Sequence, residues 1–164
     1  MVHRIGVLLT ALLTATVLVG GCASGSPQST GDRLNFNATT LDGQPFSGES
    51  LAGKPAVLWF WAPWCPACQG EAPAVAKVAA ANPLVTFVGV GARDELAAMQ
   101  AFATKYGIDA FTELADTDAT IWAKFGVTRQ PAYAFLSPGG DVEVVKGSLP
   151  EDELSTRVAA LAQQ

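Results

Sequence analysis

Ala56 to Ala62 reads Ala-Val-Leu-Trp-Phe-Trp-Ala, a near-continuous apolar run of the kind carried by a strand buried on both faces. Leu84 to Val90 repeats the pattern and predicts a second buried strand. Between them, Pro66 to Ala81 is Ala-rich and predicts a helix, with Pro66 in the first turn, where proline is tolerated, and Pro73 inside as a kink. In Asp94 to Tyr106 the apolar residues Leu96, Met99 and Phe102 recur at helical spacing, and Gly107 ends the element. Asp118 is placed to cap a short helix through Phe125, closed by Gly126. Tyr133 to Leu136 and Val142 to Val145 read as strands joined by the Pro-Gly-Gly-Asp turn at Pro138 to Asp141. Pro150 opens a last helix that runs to the C-terminus. Ahead of all these, Leu34 to Thr39 predicts a short strand that turns at Asp42-Gly43, a pair favoured in hairpins.

The order is β-α-β, a helical connection, then β-β-α. It predicts an α/β fold: a central mixed sheet flanked by helices, with an N-terminal β extension. A length of 164 residues suits one domain. With 49% hydrophobic and 15% charged residues, the chain can bury a proper core.

The apolar run Ile5 to Val19 belongs to a different category. It follows His3 and Arg4, falls short of the ~20 residues of a spanning helix, and suits the core of an export signal. It ends in Val19-Gly20-Gly21-Cys22, which resembles the lipobox of bacterial lipoproteins, where the cysteine is lipidated and becomes the mature N-terminus. The expected organisation is a signal over residues 1–22, a Gly/Ser/Pro-bearing tether over 23–33, and the folded domain over 34–164. The expected location is outside the cytoplasm, on the outer face of the bacterial cell membrane through the lipid on Cys22, or secreted. The formal charge of −5 becomes one unit more negative when the signal takes Arg4 with it. No basic stripe interrupts this acidic chain, so no footprint for nucleic acid exists.

Composition also narrows the chemistry. The only histidine is His3, inside the signal, which removes Cys-His and Ser-His catalysis from the mature domain. Of three cysteines, Cys22 is assigned to lipid, leaving Cys65 and Cys68 to pair with each other or with a substrate. Two cysteines without histidine do not build an ordinary zinc site, so no metal and no cofactor beyond the dithiol itself is expected. Asp116 and Asp118 are read as helix caps rather than metal ligands.

Cys65-Pro66-Ala67-Cys68 stands where a buried strand meets a helix. That puts Cys65 against unpaired N–H groups and the positive end of the helix dipole, which stabilise a thiolate over a thiol. The thiolate attacks in disulfide exchange, so Cys65 is the expected nucleophile, and Cys68, one turn inside the helix, the resolving thiol.

Trp61-Ala62-Pro63-Trp64-Cys65-Pro66-Ala67-Cys68 resembles the active site of thioredoxin-fold proteins. Gly53-Lys54-Pro55 before the strand and Glu71-Ala72-Pro73 after the cysteines are similar to the TlpA/DsbE-like branch, and to the mycobacterial secreted DsbE/DsbF-like lipoproteins within it. The likeness runs from about Leu34 to the C-terminus. It implies a cis-proline at Pro131, packed opposite the cysteines and leaving the Gln130 backbone free to pair with an extended substrate. Gln130 departs from the Thr, Val or Ile common at that place. The resemblance also implies a role for Glu71 as acceptor of the proton that Cys68 must lose; a solvated first-turn acid is the alternative. The buried aspartate of classical thioredoxins is replaced here by Trp59, leaving Glu71 as the acid in reach. Trp64 is expected to shield Cys65 and, with Pro66, Ala67, Gln130 and Pro131, to meet substrate, while Trp59 and Trp61 belong to the core.

The implied activity is thiol–disulfide exchange with thiols or disulfides of exported proteins. The likeness to the mycobacterial group implies an oxidase regenerated by a membrane redox partner, and the TlpA/DsbE likeness a reductase of the cytochrome c maturation kind. A thiol peroxidase of this fold would need Thr three residues before the reactive cysteine, where Ala62 stands.

Overall fold

The computed structural model describes residues 30–164 together with Met1. The signal and lipidation readings, Cys22 included, lie outside the described residues, as does most of the expected tether. Among the described residues, no helix is long and apolar enough to cross a membrane.

The sheet has five strands in the order β5-β4-β3-β6-β7. At its centre is β3 (Ala56–Trp61), buried at every position. It is flanked by parallel β4 (Thr86–Ala92) and antiparallel β6 (Ala132–Leu136). Next to β4 runs parallel β5 (Thr112–Asp116), and β7 (Val142–Lys146) closes the other edge antiparallel to β6. A separate hairpin of β1 (Asn37–Thr39) and β2 (Pro45–Ser47) leans on β5, through a Thr40–Leu114 bridge and the Leu41 N–H on the Glu113 carbonyl.

Among the described residues the α-helices are α1 (Thr30–Leu34), α2 (Pro66–Ala81), α3 (Leu96–Tyr106), α4 (Thr120–Lys124) and α5 (Glu151–Leu161). Because successive side chains on a strand point to opposite faces, β3 feeds two cores. Val57, Trp59 and Trp61 pack with Val75 and Val78 of α2, Met99 and Phe102 of α3, and Leu154 and Val158 of α5. Leu58 and Phe60 pack on the other face with Ile121 and Trp122 of α4 and with Leu34.

Several elements differ from the sequence reading. Strand β5 was not anticipated, because its buried positions include the acids Glu113 and Asp116, which break the apolar signature. Leu34 ends helix α1 instead of starting a strand; its buried side chain anchors that turn in the second core. The cap of α4 is mainly Asp116, whose carboxylate takes the N–H groups of Ile121 at 3.1 Å and Trp122 at 2.9 Å. Asp118 receives only the Thr120 N–H and hydroxyl. Both acids are thus engaged with the start of α4.

Two glycines of β4 shape the site to come. A Cβ at Gly91 would lie 2.9 Å from the Trp61 ring, and one at Gly89 would lie 1.9 Å from a Glu113 carboxylate oxygen. Their missing side chains form a trough that admits both groups.

Candidate active site

The site grows from the C-terminal end of β3. The chain leaves through Ala62 and Pro63, turns on a Cys65 N–H bond to the Ala62 carbonyl (3.1 Å), and enters α2 with Cys65 as its N-cap. The Cys65 sulfur accepts the backbone N–H of Cys68 at 3.2 Å, so a main-chain donor points at the expected nucleophile. Cys65 is 4% exposed and Cys68 fully enclosed. Pro66 and Ala67 between them face solvent. This asymmetry fits a sulfur reached from outside and a partner that acts from within.

Trp64 is half exposed, its indole fixed by an N–H bond to the Arg93 carbonyl at 3.0 Å. The Gln130–Pro131 peptide bond is cis. Since Ala132 pairs with Phe60, Pro131 is carried to the end of β3 from which the cysteine turn departs. The Pro131 carbonyl is taken by the Gly147 N–H, whereas the main chain of half-buried Gln130 enters no hydrogen bond among the described residues.

Glu71 is no solvated surface acid. It is 8% exposed, and burial raises its pKa above the ordinary carboxylate value. Opposing that, the Trp59 indole N–H donates to Oε1 at 2.8 Å, with lesser pulls from Tyr133, Ser148 and the Leu149 N–H. Glu71 Oε2 and the Tyr133 hydroxyl are both buried without a full hydrogen bond, and burial together with Glu71 holds the Tyr133 phenol protonated. Trp59 and Trp61 are wholly buried and stack with centroids 6.0 Å apart; Trp61 also stacks on Phe102 at 4.4 Å.

A second buried acid, not singled out in the sequence, lies beyond this stack. Glu113 Oε2 accepts the Trp61 indole N–H at 2.9 Å, its Oε1 has no hydrogen-bond partner among the described residues, and burial pushes its pKa well above the ordinary range. Glu113, Tyr133 and Arg93 went unnoticed in the sequence. The available signal was the Gly-Val-Gly alternation of β4, which leaves room beside an acid on the neighbouring strand.

A dithiol with one approachable sulfur under a helix N-terminus, and a free backbone edge beside it, is equipped for disulfide exchange. Fold and site together define a thioredoxin-like thiol–disulfide oxidoreductase, and comparison with known proteins agrees. The chain belongs to the Redoxin family, whose model matches residues 26–161. It is 50% identical over 158 residues to the soluble secreted antigen MPT53 of Mycobacterium tuberculosis, covering 93% of this chain and 90% of that protein. The solved structure of MTB DsbF in its mixed oxidized and reduced forms superposes with a TM-score of 0.78 at 63% identity, covering 79% of this chain and 97% of the other. A secreted M. tuberculosis disulfide oxidoreductase homologous to E. coli DsbE gives a TM-score of 0.76 at 55% identity, covering 79% and 98%.

Proposed function

We propose that this protein is an extracytoplasmic oxidase that passes the Cys65–Cys68 disulfide to thiols of exported proteins. The observation that carries this reading is the Cys68 N–H on the Cys65 sulfur at the N-cap of α2. A donor aimed at that sulfur stabilises its thiolate and hence the reduced dithiol, and a pair whose reduced form is stabilised gives its disulfide away. Location outside the cytoplasm is supported by the signal-like start and by relatives named as secreted. The Gly-Gly-Cys22 run supports attachment through a lipid.

In each turnover a substrate thiolate attacks Cys65 Sγ, the Cys65–Cys68 bond breaks, and Cys68 leaves as a thiolate that takes a proton. A second substrate thiolate then attacks the substrate sulfur of the mixed disulfide and releases Cys65. The substrate loses two electrons and the enzyme gains them, so a membrane-bound oxidant of disulfide or quinone class must restore the pair. Trp64, Pro66 and Ala67 form one wall for the substrate segment, and Gln130 and Pro131 supply its pairing edge.

One observation favours a second reading, a reductase of the cytochrome c maturation kind. Glu71 is a buried acid one turn after Cys68, able to accept the proton lost when Cys68 attacks a mixed disulfide. The equilibrium potential separates the two. Titration against glutathione, read by Trp64 fluorescence, is expected to fall above about −200 mV; a value near thioredoxin's, about −270 mV, with the pair trapped reduced in cells, would refute the oxidase.

A further inference from the structure

Arg93 follows the last residue of β4 and adopts φ 61°, a left-handed conformation that a side chain with a Cβ rarely takes. Glycine would sit there without strain, so what arginine adds at this position is what its side chain reaches. Its carbonyl receives the Trp64 indole N–H at 3.0 Å. Its Nη2 donates to the Thr128 carbonyl at 3.2 Å, and its guanidinium lies 5.0 Å over the Trp122 ring. Trp122 is itself fixed, buried and bonded through its indole to the Val90 carbonyl at 3.0 Å.

These contacts join three segments around the dithiol. One is the Trp64–Cys68 turn, one is the loop after β4, and one is the Thr128–Pro131 segment that carries the unpaired Gln130 backbone. Trp64 precedes Cys65 in the turn, and Gln130 lies two residues before β6, at the end of the sheet from which that turn departs. No hydrogen bond links the two directly among the described residues. We propose that Arg93 is a substrate-positioning residue for disulfide exchange: it holds Trp64 with its carbonyl and the Thr128–Pro131 segment with its guanidinium. The partner this arrangement would position is an extended, cysteine-bearing polypeptide that meets Trp64 and pairs with the unbonded Gln130 backbone.

Arg93→Gly isolates the side chain, since glycine keeps the left-handed backbone and the carbonyl that Trp64 uses. The readout is the ratio of kcat/KM for a cysteine-containing peptide to that for dithiothreitol, which has no chain to lay in the groove. That ratio is expected to fall about fivefold, roughly the loss of one ordering hydrogen bond, through KM more than kcat. Arg93→Lys, which keeps a donor but loses the flat stack on Trp122, is expected to fall between the two. If Arg93→Gly melts far below the wild type, Arg93→Gln, with an amide donor at shorter reach, gives the same reading. A ratio within about twofold of wild type in the folded variant, or an equal drop for both substrates, overturns the proposal.

Discussion

Replacing Trp59 with phenylalanine tests whether the indole N–H governs the Glu71 proton. Phenylalanine keeps an aromatic ring against Trp61 and Phe102 and removes only the donor that reaches Glu71 Oε1 at 2.8 Å. Burial holds the Glu71 pKa up, and this bond is the largest influence pulling it down. A hydrogen bond to a charged acceptor is worth about 1.5–3 kcal/mol, most of it in the ionised form. At about 1.4 kcal/mol per tenfold, its loss shifts the ionisation equilibrium toward the protonated acid by roughly tenfold to a hundredfold. Glu71 then stays protonated to higher pH, and on the reading that it receives the Cys68 proton it loses that capacity over the same range. The expected result is an alkaline shift of the Glu71 carboxyl titration, followed by ¹³C NMR. A matching shift is expected in the acid limb of mixed-disulfide resolution, measured by stopped flow. In Trp59→Phe/Glu71→Gln that limb should vanish. A Glu71 that titrates at the same or lower pH in folded Trp59→Phe would refute the reasoning.

Three further outcomes follow from the same geometry. Glu113 has an ordinary carboxyl pKa of 4.5 when unfolded and a raised one when folded, so its stability cost is absent below that value and grows as pH rises through it. Glu113→Gln keeps an acceptor for Trp61, and its urea stability should gain on wild type as pH rises above 4.5; a pH-independent difference contradicts this. Asp116→Ala removes the acceptor of two α4 N–H groups and should cost about 1–2 kcal/mol, a fall of roughly 2–6 °C in Tm; an unchanged Tm would show that the cap contributes nothing. Cys65→Ser should abolish insulin reduction and oxidative refolding of a scrambled substrate, whereas retained activity would point to a non-catalytic binding module.

Local rules sufficed where neighbours in sequence decide the structure. Helix α2 begins at Pro66 and ends at Ala81, as its composition indicates, and Gly107 closes α3 in the left-handed region at φ 70°. The Cys-x-x-Cys spacing marked the dithiol because strand end, turn and helix start are contiguous. Distant pairings were hidden. Glu113 of β5 meets Trp61 of β3 only because β4, which lies between the two strands, leaves room at its glycines, and Tyr133 faces Glu71 only because β6 pairs with β3 on its other side. Leu84 shows the reverse error: its apolar side chain suggested a strand start, yet it lies exposed in the turn before Thr86. A buried acid and an exposed leucine both mislead a hydropathy pattern, the acid because its place is set by contacts far along the chain and the leucine because nothing in the fold covers it.

The trough in β4 bears on how such a sequence can drift. A methyl group arriving first at position 89 would collide with the Glu113 carboxylate, since its Cβ would sit 1.9 Å from that oxygen. Shortening position 113 first frees the space, and the methyl group can then follow. The two changes have an obligatory order, so lineages that keep the acid are held to glycine at position 89, while those that lose it are released. Among homologous sequences, alanine at the place of Gly89 should occur only where the place of Glu113 holds a smaller residue. A folded homologue carrying both alanine and glutamate would break the rule.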